Sequence, residues 1–222
     1  MTAEATDIAL RYPSRHELAA DCVVHILGVA SGSVGGATLV ALIAARGDWL
    51  ELGALLIYAV GMMAMFCCSA AYNLARNSPW RAILRRCDHA AIFVMIAGSY
   101  TPFTLLRLDG AWSWTLTSAV WTIAVLGVLL KLCRFRDRWY ASLAPYLFLG
   151  WIGIIAIDPL FRSLGWQTLG LIGLGGVLYT IGVGFHVWHR LPFHNAIWHG
   201  FVLAAASVHY AAVLNGVVLS GA

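Results

Sequence analysis

Seven stretches of this chain contain no Asp, Glu, Lys or Arg: Cys22 to Ala45, Leu52 to Ala75, His89 to Leu106, Gly110 to Leu130, Tyr140 to Ile157, Ser163 to His189 and Leu191 to Ala222. Each is near or above the roughly 20 residues that a helix needs to cross a ~30 Å hydrocarbon core. Together they take up most of the chain. The reading is an all-α, polytopic membrane protein, with residues 1–222 forming a single seven-helix domain behind a short polar leader at about 1–18. Charged residues make up 11% of the sequence, less than half of the roughly 25% usual in soluble domains. That excludes a soluble monomer, a disordered chain and a nucleic-acid binder.

The first twenty residues hold Glu4, Asp7, Arg11, Arg15 and Glu17, so no cleavable signal pattern is expected. No internal repeat stands out. Asn77-Ser78-Pro79 reads as a stop, then an N-cap with Pro at the first helical position. Asp158-Pro159 and Leu191-Pro192 break the later runs, and Pro102 and Pro145 fall inside predicted helices. Bundle neighbours can satisfy the carbonyls a proline frees, so kinks are expected there rather than breaks.

Lys and Arg set the orientation. One side collects eleven of the fourteen: Arg11, Arg15, Arg76, Arg81, Arg85, Arg86, Lys131, Arg134, Arg136, Arg138 and Arg190. Only Arg46, Arg107 and Arg162 remain for the other. The N-terminus is expected in the cytoplasm and the C-terminus outside. The net charge of +4 then reads as a basic rim facing anionic lipid. Trp49, Trp80, Trp112, Trp114, Trp139, Trp166, Trp188 and Trp198 fall near predicted helix ends, where amphipathic indoles prefer to lie. The five cysteines, Cys22, Cys67, Cys68, Cys87 and Cys133, include no CxxC pair, and no disulfide framework is expected.

Polar residues converge at one depth. Ser69 and Asn73 are four apart on helix 2, and Asn195 and His199 are four apart on helix 7, so each pair shares a helix face. Asp88 opens helix 3, either as a cap that suits the dipole or as part of a site. Glu17, Asp21 and His25 step by four into helix 1. Glu17 and Asp21 read as a solvated first turn, and His25 fits either environment. Asn73 and Asn195 taken alone read as interhelical hydrogen-bond glue, and Ser69 alone as a bond to its own helix. His209, roughly 15 Å beyond His199 by helix rise, reads as a hydrogen-bonded bundle residue, and His186 and His189 as interfacial. Gly35-Gly36 and Gly175-Gly176 are expected to permit close helix packing.

Three blocks carry a family resemblance: Cys68-Ser69-Ala70-Ala71-Tyr72-Asn73; Asp88 to Phe93 running on through Ile96 to Phe103; and Leu191 to His199 followed by Phe201-Val202-Leu203 and His209. They resemble the helix 2, 3 and 7 signatures of the hemolysin III family, which belongs with the adiponectin and progestin receptors. The resemblance implies seven helices, a cytoplasmic N-terminus and a zinc ion near the cytoplasmic leaflet. It implies three histidine ligands, one on helix 2 and two spaced i, i+4 on helix 7. Ser69 and Asp88 match the serine and aspartate that lie close to the ion and its water, the residues a catalytic role would fall to. His199 matches one ligand, whereas the other two positions hold Asn73 and Asn195. Zinc prefers imidazole or thiolate to a neutral amide oxygen, so zinc binding built in the family's way is not expected. His194, His89, His186, Cys68 and Cys87 are the nearby donors.

Two functions compete on these residues. The first, as a member of that family in a bacterial inner (plasma) membrane, is a non-catalytic or weakly metal-binding regulator or sensor of membrane state. In it Ser69, Asn73, Asp88, Asn195 and His199 form a hydrogen-bonded network, and the partners are membrane lipids or a small-molecule ligand. The alternative is a zinc-dependent lipid amide hydrolase with relocated ligands. A pore or lytic protein ranks below both, because no charged stripe lines a conduit.

Overall fold

A computed structural model describes residues 14–75, 78–133 and 143–220. The leader up to residue 13, Arg76, Asn77, Arg134, Arg136, Arg138 and Trp139 lie outside the described residues, and so do the expectations placed on them. The described residues are helices joined by short turns, with no strand among them. Among the described residues, seven helices are long and apolar enough to cross a bilayer. They are α1 (Arg15–Ala44), α2 (Trp49–Leu74), α3 (Arg81–Leu106), α4 (Gly110–Cys133), α5 (Ala144–Ser163), α6 (Trp166–Val187) and α7 (His194–Val213). The last continues as a π-helical turn over Leu214–Leu219.

The uncharged runs locate the helices but understate two of them, because charged side chains are drawn into the first turns. α1 begins at Arg15 under a cap in which Ser14 Oγ accepts from the Glu17 N–H at 3.2 Å. α3 begins at Arg81, capped by Trp80 without a side-chain bond. Asp88 therefore lies two turns inside α3 rather than at its start, and Pro79 stands in the preceding turn. Arg81 is buried because it closes the end of α2: its Nη1 donates to Tyr72 O at 3.0 Å and its guanidinium lies 4.6 Å from the Tyr72 ring centroid. A cation at a helix C-terminus satisfies orphan carbonyls and opposes the dipole.

The opposite end of the bundle uses the same device. Arg46, after α1, donates to Val218 O at 2.7 Å. Arg107, after α3, donates to Val217 O at 2.9 Å and to Ser220 Oγ at 2.6 Å. Two of the three arginines assigned to the sparsely charged side thus cap the last turn of α7.

Of the prolines, Pro102 sits inside α3 as expected. Pro145 lies in the first turn of α5 rather than in its interior, where it costs no hydrogen bond. α5 is broken in the middle: an α segment Ala144–Trp151, a 3-10 segment Ile152–Ala156 and a second α segment Ile157–Ser163 that contains Pro159. Tyr100 of α3 bridges the break. Its hydroxyl donates to Gly150 O at 2.8 Å and accepts from the Gly153 N–H at 3.0 Å. Trp49, Trp80, Trp114 and Trp166 are all exposed at helix ends, as expected of interfacial indoles.

Candidate functional site

The inward face of α1 is a single stripe: Glu17, Asp21, His25, Gly28, Gly32, Gly36, Leu39 and Ile43. The spacing of three and four places them one above another. The glycines set how near α1 lies to α2, since a Cβ at Gly28 or Gly32 would meet the Phe66 ring at 3.0 or 2.9 Å. α7 closes on the other flank, where Tyr210 Oη donates to Gly35 O at 3.1 Å. Because the glycine half of the stripe faces the bundle, the polar half does too. Glu17 is 7% exposed and Asp21 0%, which overturns their reading as a solvated first turn.

An isolated carboxylate at such depth is costly and needs partners. Asp21 finds them in two imidazoles. Its Oδ1 lies 2.6 Å from His199 Nδ1 of α7, and its Oδ2 lies 3.3 Å from His25 Nε2 one turn on. The His25 and His199 rings approach to 4.4 Å between centroids. The contact with His199 is a hydrogen bond. That with His25 is at ion-pair distance but lacks hydrogen-bond alignment, leaving the buried Nε2 without a hydrogen-bond partner. Among the described residues, this trio is the group of His, Cys, Asp and Glu side chains whose ligand atoms converge, all within 4.8 Å of one another.

The remaining sequence-nominated residues surround the same cavity of about 740 Å³, which Ser69, Asn73, Asp88, Asn195 and His199 all line together with His25. Asn73 is buried and turned back along α2, with Nδ2 donating to Ser69 O at 3.0 Å and to Ser69 Oγ at 3.4 Å. The partner of His199 is Asp21, not Asp88. Asp88 is half-buried in the cavity wall, and Asn195 is buried in the first turn of α7. Away from these polar ends of α2, α3 and α7, the wall becomes apolar and aromatic: Met95, Phe103, Leu116, Leu160 and Ile172 line it.

α7 starts irregularly. Phe193 holds a left-handed conformation with φ of 60°, and His194 follows it into the interior at 4% exposure. His194 meets His189 edge-on at 5.5 Å rather than joining Asp21. His186 packs on Trp198 at 5.2 Å. His209 is the bundle residue expected of it, bonding Ile172 O at 3.2 Å with its ring edge toward Tyr179. Gly175 gives that ring room, because a Cβ there would overlap it.

The ligand set implied by the resemblance does not fit zinc here. Two of its three positions are amides, and the amide nitrogen of Asn73 is committed to Ser69. Sequence reasoning undervalued Asp21 and His25, though one signal pointed to them. Gly28, Gly32 and Gly36 mark a close-packing face, and stepping back by three and four from Gly28 reaches His25, Asp21 and Glu17.

Comparison with known proteins agrees with this architecture. Residues 14–210 match the family described as haemolysin-III related. The chain is 35% identical to the hemolysin-3 homolog of Bacillus subtilis (strain 168) over 195 residues, covering 88% of this chain and 92% of that protein. It is 37% identical to hemolysin-3 of Bacillus cereus over 158 residues, covering 71% of this chain and 72% of that one. The monocyte to macrophage differentiation factor of Homo sapiens is 30% identical over 207 residues, covering 90% and 84% respectively. With most of its length matched, and seven apolar helices built around the three signature blocks, the chain belongs to the haemolysin-III related family of integral membrane proteins.

Proposed function

We propose that this protein is a non-catalytic regulator of membrane state that senses an amphiphilic lipid or lipid-derived molecule through its interior cavity. One observation carries the reading: a cavity of about 740 Å³ joins a polar end, with Ser69, Asn73, Asp88, Asn195 and His199, to an apolar wall. Its size lies in the range of small-molecule sites, and a few convergent polar groups against apolar walls is their usual chemistry. The polar groups would hold a headgroup and the apolar wall a chain. In this reading the chain is one seven-helix domain in a bacterial inner membrane, with the polar end of the cavity toward the cytoplasm, following the Lys and Arg count.

The test is native mass spectrometry of protein purified in mild detergent, followed by identification of the retained lipid. About one amphiphile per chain is expected, with Ile172→Trp in the apolar wall displacing it. Lipid no greater than an unrelated seven-helix protein carries, and unaffected by Ile172→Trp, refutes the reading. Convergence of Asp21, His25 and His199 favours a second reading, metal-dependent hydrolysis of a lipid amide with relocated ligands. Turnover of a long-chain amide by metal-loaded protein, abolished by Asp88→Asn, would decide for it. Turnover near zero with and without added zinc keeps the regulator.

A further inference from the structure

We propose that Asp21, His25 and His199 form a divalent transition-metal site, built from α1 and α7. It draws ligands from α1, where the family resemblance implies one on α2. The proposal does not depend on what fills the cavity.

The donor set is the first ground. Two imidazoles and one carboxylate are a recurrent set for zinc sites with an open position, and for ferrous sites of the two-histidine, one-carboxylate type. An alkaline-earth ion would call for an oxygen shell instead. The second ground is spacing. Metal–ligand distances of roughly 2.0–2.2 Å place ligand atoms of a tetrahedral ion about 3.3 Å apart. His25 Nε2 and Asp21 Oδ2 stand at 3.3 Å. The whole set lies within 4.8 Å, so closing onto an ion takes roughly 1.5 Å of side-chain movement at most.

The third ground is the unsatisfied atom. His25 is 5% exposed, and its Nε2 is buried with no hydrogen-bond partner, although a carboxylate oxygen is beside it. A hydrogen bond between the two would need the N–H aligned on the oxygen. A shared cation asks only that both lone pairs reach it. Burial of such an atom in a membrane protein costs free energy that an ion-pair contact without a hydrogen bond offsets only in part. The fourth ground is access. His25 and His199 both line the cavity, whereas Asp21 stands behind them. The open coordination position therefore faces the cavity that Ser69, Asn73 and Asp88 also line. Asn73 and Asn195 line the same cavity and are not ligands of this ion.

The experiment uses the full chain in lipid nanodiscs, stripped with chelator and then loaded with Zn²⁺ or Co²⁺. Elemental mass spectrometry is expected to find about one ion per chain. X-ray absorption of the wild-type protein should show a first shell with two imidazoles, and Co²⁺ should give the intense visible bands of a four- or five-coordinate site. His25→Gln and Asp21→Asn should each weaken binding by more than about 100-fold, since they remove direct ligands, whereas Asn73→Ala and Asn195→Ala should stay within about 10–100-fold. The wild-type spectrum keeps the test decisive if a variant does not fold. Less than a tenth of an ion per chain after loading, or a shell with a single imidazole, overturns the proposal. Loss of metal in Asn73→Ala with retention in His25→Gln also overturns it.

Discussion

Gly175→Ala tests the packing that seats α7, and with it His199. Gly175 lies on α6 against α7, and a Cβ there would overlap the ring of His209 at Cδ2 and Nε2. The ring cannot stay, so its bond to Ile172 O is lost as well. Overpacking costs about 1–3 kcal/mol, and an interhelical hydrogen bond in a membrane is worth about 0.6, rarely above 1.7. Replacing a helical glycine by alanine returns up to about 1 kcal/mol. The net expectation is a loss of about 1–3 kcal/mol. Gly176→Ala is the control. Its Cβ would meet only the outer edge of the Trp151 indole, at 3.2 Å, so the propensity gain and a small shift should leave it within about 1 kcal/mol of wild type. The assay is equilibrium unfolding by SDS in mixed micelles, followed by circular dichroism. A second arm adds His209→Ala, which empties the space the new methyl needs. Gly175→Ala should then cost at least about 1 kcal/mol less than it does alone. A Gly175→Ala protein as stable as wild type, with an additive double variant, would refute the reasoning.

Three further outcomes follow from the same contacts. Ser14→Ala removes the acceptor for the Glu17 N–H and should cost about 0.5–2 kcal/mol, read as faster hydrogen exchange in the first turn of α1. Tyr100→Phe removes both bonds across the break in α5. Amides of residues 152–156 should exchange faster, with a global cost of about 1–2 kcal/mol. Asp21→Ala and His199→Ala share one hydrogen bond, so in SDS unfolding their double variant should fall short of additivity by about 0.6–1.7 kcal/mol. Strict additivity would mean that the pair does not interact in the membrane.

The polar groups illustrate where sequence reasoning stops. The i, i+4 spacing of Asn195 and His199, and of Ser69 and Asn73, puts each pair on one helix face, and all four line one cavity. The same spacing ran through Glu17, Asp21 and His25, yet composition argued for solvent there, since acidic residues in a first turn are ordinary helix punctuation. The burial of Asp21 is a consequence of Gly28 and Gly32 letting Phe66 and α2 come close, which tips the whole stripe inward. Asp88 shows the converse. Charge density placed it at a helix start, but Arg81 is needed on Tyr72 O, and α3 therefore begins two turns earlier.

The sequence by itself determined the seven helices and which residues share a face on each. Both depend on hydrophobic length and on a 3.6-residue period, which are properties of neighbours along the chain. Only the tertiary structure decided that His199 pairs with Asp21 rather than Asp88, and that His25 stands beside them. The Asp21–His199 contact joins residues 178 positions apart, and it is what brings His25 against His199. Their geometry is set by how closely whole helices approach, and no local pattern encodes the rotation of one helix against another.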